Sequence, residues 1–188
     1  MNSGIMRVLT WVVFGILLMG TVALAGDDDK KQAEKRGEID AMAASALDEL
    51  FAKSEGAKEL YGKAAGYAVF DNLKIAIGIS GGGGAGVAVA KDGKRTYMKM
   101  GTGGIGLGFG GQKYQVVFLF ETEKALVSFV EKGWQADTSA QAAAGDAGAN
   151  VGASFKDGVA LYQMTDKGLM ASADITGTKY WKNDDLNE

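Results

Sequence analysis

Residues Ser80 to Gln112 read SGGGGAGVAVAKDGKRTYMKMGTGGIGLGFGGQ. Thirteen of the 31 residues from Gly81 to Gly111 are glycine, and near the end they alternate: Gly104, Gly106, Gly108 and Gly110, with Ile105, Leu107 and Phe109 between them. Residues two apart on a β-strand share a face. This pattern therefore predicts a strand with one bare face and one apolar face. A bare face admits another backbone, a helix or a ligand at close range. Our expectation is that a helix over Glu123–Lys132 or a neighbouring strand fills it. Linker glycine differs, being mixed with serine and lacking periodic apolar partners.

The surrounding sequence extends the β reading. Period-two alternation begins at Ala65 and suggests strands holding Tyr67 and Val69, then Ile75, Ile77 and Ile79, with a break at Asp71-Asn72. Asp92-Gly93, between Ala88-Val89-Ala90 and Thr96-Tyr97-Met98, is a strong hairpin signal because both turn positions tolerate positive φ. Tyr114 to Phe120 (YQVVFLF) reads as a buried strand, and later strands are expected over Gly158–Met164 and Leu169–Ile175. Helices are expected over Glu38–Phe51, over Ser54–Lys63 with Ala57, Leu60 and Tyr61 inward, and over Glu123–Lys132 between Thr122 and Gly133. The expected fold is α+β: a curved antiparallel sheet or open β-barrel-like core, N-terminal amphipathic helices and one inserted helix.

Composition narrows the chemistry. The chain of 188 residues has no Cys, no His and no Pro. Disulfides, thiolate metal sites and thiol nucleophiles are excluded, as are a Ser-His-Asp triad and the commonest general base. No metal site or cofactor is expected, and an enzyme would need carboxylate-only or Lys/Tyr chemistry. Two G-x-G-x-x-G matches, Gly81–Gly86 and Gly101–Gly106, are followed by strand-like alternation rather than the helix that a dinucleotide fingerprint needs.

The N-terminus has the pattern of an export signal. Arg7 precedes an uncharged, mostly apolar stretch from Val8 to Ala25, and Ala23-Leu24-Ala25 supplies a small-residue cleavage site. The expected organisation is a signal peptide over 1–25, a charged flexible lead-in over 26–37 and one domain over 38–188. An uncleaved anchor is the rival reading. The exported chain would be periplasmic or secreted.

Charge is distributed unevenly. Residues 53–113 carry nine basic and four acidic groups, whereas 114–188 carry six basic and eleven acidic. The basic middle makes Lys91, Lys94, Arg95, Lys99 and Lys113 the candidate contacts for an anionic phospholipid surface. The alternative is that these cations are solvated round the fold and keep the hairpin soluble. Nucleic acid is not an expected partner of an acidic, exported chain.

Several segments together are similar to the SYLF domain family over roughly Ser54 to Asn187. They are Ala65-Gly66-Tyr67-Ala68-Val69-Phe70, Gly84-Ala85-Gly86-Val87, the run Gly104 to Gln112, Ala160-Leu161-Tyr162 leading to Lys167-Gly168-Leu169, and Gly177. The resemblance implies a non-catalytic lipid-binding domain. Eukaryotic members are associated with phosphoinositides and some with actin filaments. The chain departs from the family at Asp71, where a proline often follows the aromatic residue, and in lacking Gly-Pro in its Ala/Gly-rich run. A structural or protein-interaction module of the cell envelope, with an envelope protein as partner, is the reading of a different class.

Overall fold

A computed structural model describes residues 4–135, 154–165, 168–169 and 177–188, with the backbone alone over 4–25, 76–80 and 104–109. The chain divides into two compact units, Met1–Glu38 and Ile39–Glu188. Helix α1 runs Gly4–Lys53. Within the first unit the charged segment 26–37, expected as a flexible lead-in, is helical and largely exposed. Lys31 pairs with Asp27 at 2.6 Å and Lys35 with Glu38 at 3.1 Å, the spacings at which helical neighbours meet.

The second unit is α+β, as the sequence predicts. Its elements are the end of α1, α2 (Glu55–Lys63), β1 (Gly66–Ala90), β2 (Arg95–Phe120), α3 (Glu123–Lys132), β3 (Trp134–Gln135), β4 (Val159–Thr165), β5 (Gly168–Leu169) and β6 (Thr178–Lys182), with a closing 3-10 turn at Asp184–Leu186. Ser54 caps α2 by accepting from the Ala57 N–H at 3.1 Å, and Thr122 caps α3 by accepting from Ala125 at 3.2 Å.

β1 and β2 form one very long antiparallel hairpin, paired from Val89↔Arg95 to Gly66↔Phe120. The expected break at Asp71-Asn72 is absent: both residues sit in register, opposite Gln115 and Tyr114, and the irregularity falls between Ile77 and Ile79. Polar residues there do not stop the strand because the ladder needs only their backbone groups. Both G-x-G-x-x-G matches lie inside strands, so neither opens a helix at its glycines. On the far edge of β2, residues 98–102 pair with β6 and 114–120 with β4.

Two apolar clusters cover the two faces of this sheet. One joins Ile39, Ala43, Leu47 and Leu50 of α1 and Leu60 of α2 to Val69, Val87, Val117, Leu119 and Tyr162. The other joins Leu126 and Phe129 of α3 to Phe70, Met98, Met100, Phe118 and Tyr180. Within it the Phe70 and Tyr180 rings lie 4.7 Å apart, edge to face. The late strand expected over Leu169–Ile175 is described only at Gly168–Leu169; residues 170–176 and the Ala/Gly-rich run 140–153 lie outside the described residues.

The hairpin is curled on itself. A Cβ built on Gly82 would lie 2.5 Å from the Leu73 carbonyl oxygen, and on Gly84 and Gly86 it would overlap the carbonyl oxygens of Asp71 and Val69. The three glycines share one face, and the three alternate carbonyls leave one edge of the strand. The first half of β1 therefore lies edge-on against the bare face of its second half. Gly66 completes the approach, since its Cβ would lie 2.6 Å from the Val89 oxygen. Among the described residues β1 has only β2 as a ladder partner, so this contact covers an edge that would otherwise be an open row of polar groups. The glycine Cα–H groups point at the oxygens, the geometry of weak Cα–H···O bonds. Gly104, Gly106, Gly108 and Gly110 lie in β2 as expected. What fills the face of Gly104, Gly106 and Gly108 lies outside the described residues, and the close backbone approach that is described occurs at the earlier glycines.

Two outcomes follow. Gly84→Ala should destabilise the domain by about 3 kcal/mol in urea unfolding, the cost of overpacking against an immovable backbone. Gly83→Ala, whose nearest neighbour is the Met100 oxygen at 3.6 Å, should change stability by less than about 1 kcal/mol. In alkali, burial pushes the Tyr162 phenol up to about 12 and holds Tyr180 well above its ordinary value, with Tyr114 adding to the latter. An unfolded chain loses these protons near pH 10, so roughly between pH 10 and 12 the unfolded state binds fewer protons than the folded one. Urea midpoints should hold below about pH 10 and fall as pH rises through about 12, and Tyr162→Phe should reduce the fall.

Candidate functional site

The hairpin tip is built by its own turn chemistry. Gly93 takes φ +89, a value open to glycine at little cost. The Asp92 carboxylate accepts from the Lys94 N–H at 2.9 Å, and the Gly93 N–H donates to Ala90 O at 2.9 Å. Residues 91–95 are all exposed. The curl of β1 fixes where this tip points: the Lys91 N–H donates to Ala65 O at 2.9 Å, and the Ala65 N–H to Phe120 O at 2.8 Å. The tip is thereby held beside the C-terminal end of α2.

Between tip and helix lies a groove of about 370 Å³, bordered by Tyr61, Gly62, Tyr67, Val89 and Lys91. Tyr61, expected to point inward, is 37% exposed. It stands in a row of rings, 5.0 Å from Phe51 and 5.5 Å from Tyr67. Burial, then the neighbouring Tyr61 phenol, raises the Tyr67 pKa, against an opposing pull from Arg95. Tyr67 is therefore a neutral hydrogen-bonding group at ordinary pH. Lys63 closes α2 at the same end.

The five candidate cations do not form one cluster. Lys91 and Lys94 sit on the tip with no carboxylate partner among the described residues. Arg95 lies 3.4 Å from Asp40, which also accepts from the Tyr97 hydroxyl at 3.2 Å. Lys99 pairs with Asp185 at 3.0 Å. Lys113 sits opposite Leu73, seven positions before Phe120, about 23 Å along β2 from the Phe120 end that the curl brings back beside the tip. There it borders a second cavity of about 270 Å³ with Glu49 and Asp71. Leu73 and Ile75, beside Lys113, are 43% and 50% exposed. They escaped the sequence reading because alternation identifies a strand but not which of its apolar residues lack a cover.

The C-terminus fastens the base of the tip. The Asn187 side chain accepts from the Tyr97 N–H at 2.9 Å and donates to the oxygens of Tyr97 at 2.7 Å and Asn183 at 2.6 Å. It thus mimics a ladder partner for β2 beyond the end of β6. Nothing in the sequence marks this asparagine, because its partner is 90 positions away. No cluster of three or more metal-ligating side chains occurs among the described residues. The geometry can do one thing well: present two cations, unpaired among the described residues, beside an aromatic groove.

Residues 101–188 match the model of the family Ysc84, the Las17-binding protein actin regulator. Over 160 residues the chain is 44% identical to beta cell expansion factor A of Aeromonas veronii, an alignment covering 85% of this chain and 61% of that protein. The chain thus spans about three fifths of that relative's length.

Asn187→Ala should lower stability by about 1–3 kcal/mol, because it removes the acceptor of the Tyr97 N–H and one of the two donors to the Tyr97 oxygen, which keeps the Asn183 N–H. Hydrogen exchange should show the Tyr97 amide losing protection while that of Val117 keeps it.

Proposed function

The chain belongs to the SYLF (Ysc84) family, a family of non-catalytic binding domains, and from that premise we propose that it binds anionic phospholipid at a membrane surface through the hairpin tip. The observation that carries the reading is the pair Lys91 and Lys94, exposed and without carboxylate partners among the described residues, set beside the groove of Tyr61 and Tyr67. Each cation near an anionic bilayer contributes about 1 kcal/mol. Tyrosine, with an apolar ring and a polar end, suits the headgroup level. Arg95 and Lys99 contribute less, because each already faces a carboxylate. Lys113 makes a separate contact, with Leu73 and Ile75 entering the interface beside it. With the export signal expected over residues 1–25, the proposed surface would act in the periplasm or outside the cell.

The other reading, a protein-interaction module, rests on the family's description, which names Las17 binding and actin regulation. A pull-down from envelope extract freed of lipid separates the two readings, since only a protein partner survives lipid removal.

Vesicle flotation tests the lipid reading. Lys91→Ala with Lys94→Ala should weaken recovery on anionic vesicles about 30-fold, the equivalent of about 2 kcal/mol. Lys99→Ala should change it less than about 5-fold. Binding should fall with added salt. Equal, salt-insensitive recovery of the unmodified chain on neutral vesicles would exclude the electrostatic mode.

A further inference from the structure

Inside the curl, next to the aromatic cluster, lies a layer of polar side chains that the lipid reading does not use. Asn72 is 2% exposed, Gln163 3%, Thr178 0% and Tyr180 1%. Asn72 Oδ1 and Nδ2, Gln163 Oε1, Thr178 Oγ1 and the Tyr180 hydroxyl are all closed to solvent, and none has a hydrogen-bond partner among the described residues. Buried polar groups almost always find partners, and an unpartnered set of this size calls for a guest.

Register brings these residues together on one face of the sheet. Asn72 is directly opposite Tyr114, Val116 is directly opposite Gln163, and Gln163 is one diagonal step from Tyr114. Thr178 and Tyr180 lie on the same face of β6, opposite Thr102 and Met100. The curl then closes one group over the other. A Cβ on Gly84, the ladder partner of Met100, would lie 3.1 Å from the Asn72 Cα, and one on Gly82, the ladder partner of Thr102, would lie 2.9 Å from the Lys74 Cα. The Tyr114 phenol is close enough to push the Tyr180 pKa further up, beyond the effect of burial.

We propose that Asn72, Gln163, Thr178 and Tyr180 form an internal binding site for a neutral hydroxyl-bearing guest, either ordered water or a small polyol. The chemistry of the set selects that class. Asn72 offers an amide donor and a carbonyl acceptor, Gln163 an acceptor, and the two hydroxyls serve as either. None of the four is charged, so an anion or cation entering the layer would meet no countercharge to offset its desolvation. Water and polyols both donate and accept, and either matches every orphaned atom. Left dry, the layer would forfeit hydrogen bonding on a scale comparable with the net stability of a domain. This site is independent of the tip lysines, so it stands or falls apart from lipid binding.

The test is water-selective NOE spectroscopy on the methyl-labelled full chain. Cross-peaks from long-lived water to the Val116 and Met100 methyls are expected, and these methyls carry no exchangeable hydroxyl to mimic them. Adding perdeuterated glycerol distinguishes the guests: loss of those peaks with shifted methyl resonances identifies a polyol site, and unchanged peaks identify a water site. Thr178→Val, nearly isosteric, should reduce the Met100 cross-peak at least twofold while the Val69 and Leu119 resonances stay in place. Asn72→Leu with Gln163→Leu should abolish both peaks; if that variant does not fold, the Thr178→Val result decides. Absence of any water or glycerol contact at Val116 and Met100 in the unmodified chain, with Thr178→Val raising the melting temperature, would overturn the site.

Discussion

The carbonyl oxygens of Val69, Asp71 and Leu73 occupy the space where residues 86, 84 and 82 would carry side chains. That steric constraint organises the domain. A 25-residue strand paired with a 26-residue strand would ordinarily be an extended ribbon with one open edge, exposed to aggregation. Glycine on one face lets the ribbon fold over and bury its own edge, with weak Cα–H donors in place of a ladder. Glycine costs conformational entropy in a strand. That cost is offset where closure brings Phe70, Phe118, Phe129 and Tyr180 into a single aromatic cluster.

The same closure positions the candidate surface. Because β1 returns on itself, Ala65 lies at Lys91, and the end of α2 lies beside the hairpin tip. The Tyr61–Tyr67 groove exists only in the closed form. The C-terminal clasp acts from the opposite side, with Asn187 and Asp185 holding Tyr97 and Lys99. A surface on a hairpin tip would ordinarily be mobile; this one is tied at both strands. The closure also traps the polar layer of Asn72, Gln163, Thr178 and Tyr180 next to the aromatic cluster, where nothing in the local sequence announces it.

Local signals were legible in the sequence, and long-range ones were not. Asp92-Gly93 marked the turn, Ser54 and Thr122 marked the helix caps, and the apolar run through Tyr114–Phe120 marked a buried strand, because each depends on neighbours within a few positions. The alternation at Gly104–Gly110 predicts a bare face there, but the close backbone approach that is described lies at Gly82, Gly84 and Gly86, and the neighbour is the strand itself. That return is encoded in no local pattern. Asp71-Asn72 looked like a break because polar side chains favour turns in isolation, while ladder pairing overrode that preference. Among the cations, sequence proximity grouped Arg95 and Lys99 with Lys91 and Lys94. Asp40 and Asp185, which neutralise the first two, come from distant positions and were invisible at that level. Lys113 was grouped by proximity in sequence, yet the hairpin carries it away from the tip.

The most direct measurement of the closure is the NOE pattern of the glycine α-protons in the intact chain. Strong NOEs from the Gly84 α-protons to the Asn72 α-proton, alongside the ordinary cross-strand contacts of Gly84 with Met100, are the predicted result. Cross-strand NOEs to Met100 without any contact between residues 82–86 and 69–73 would show an open ribbon and contradict the account.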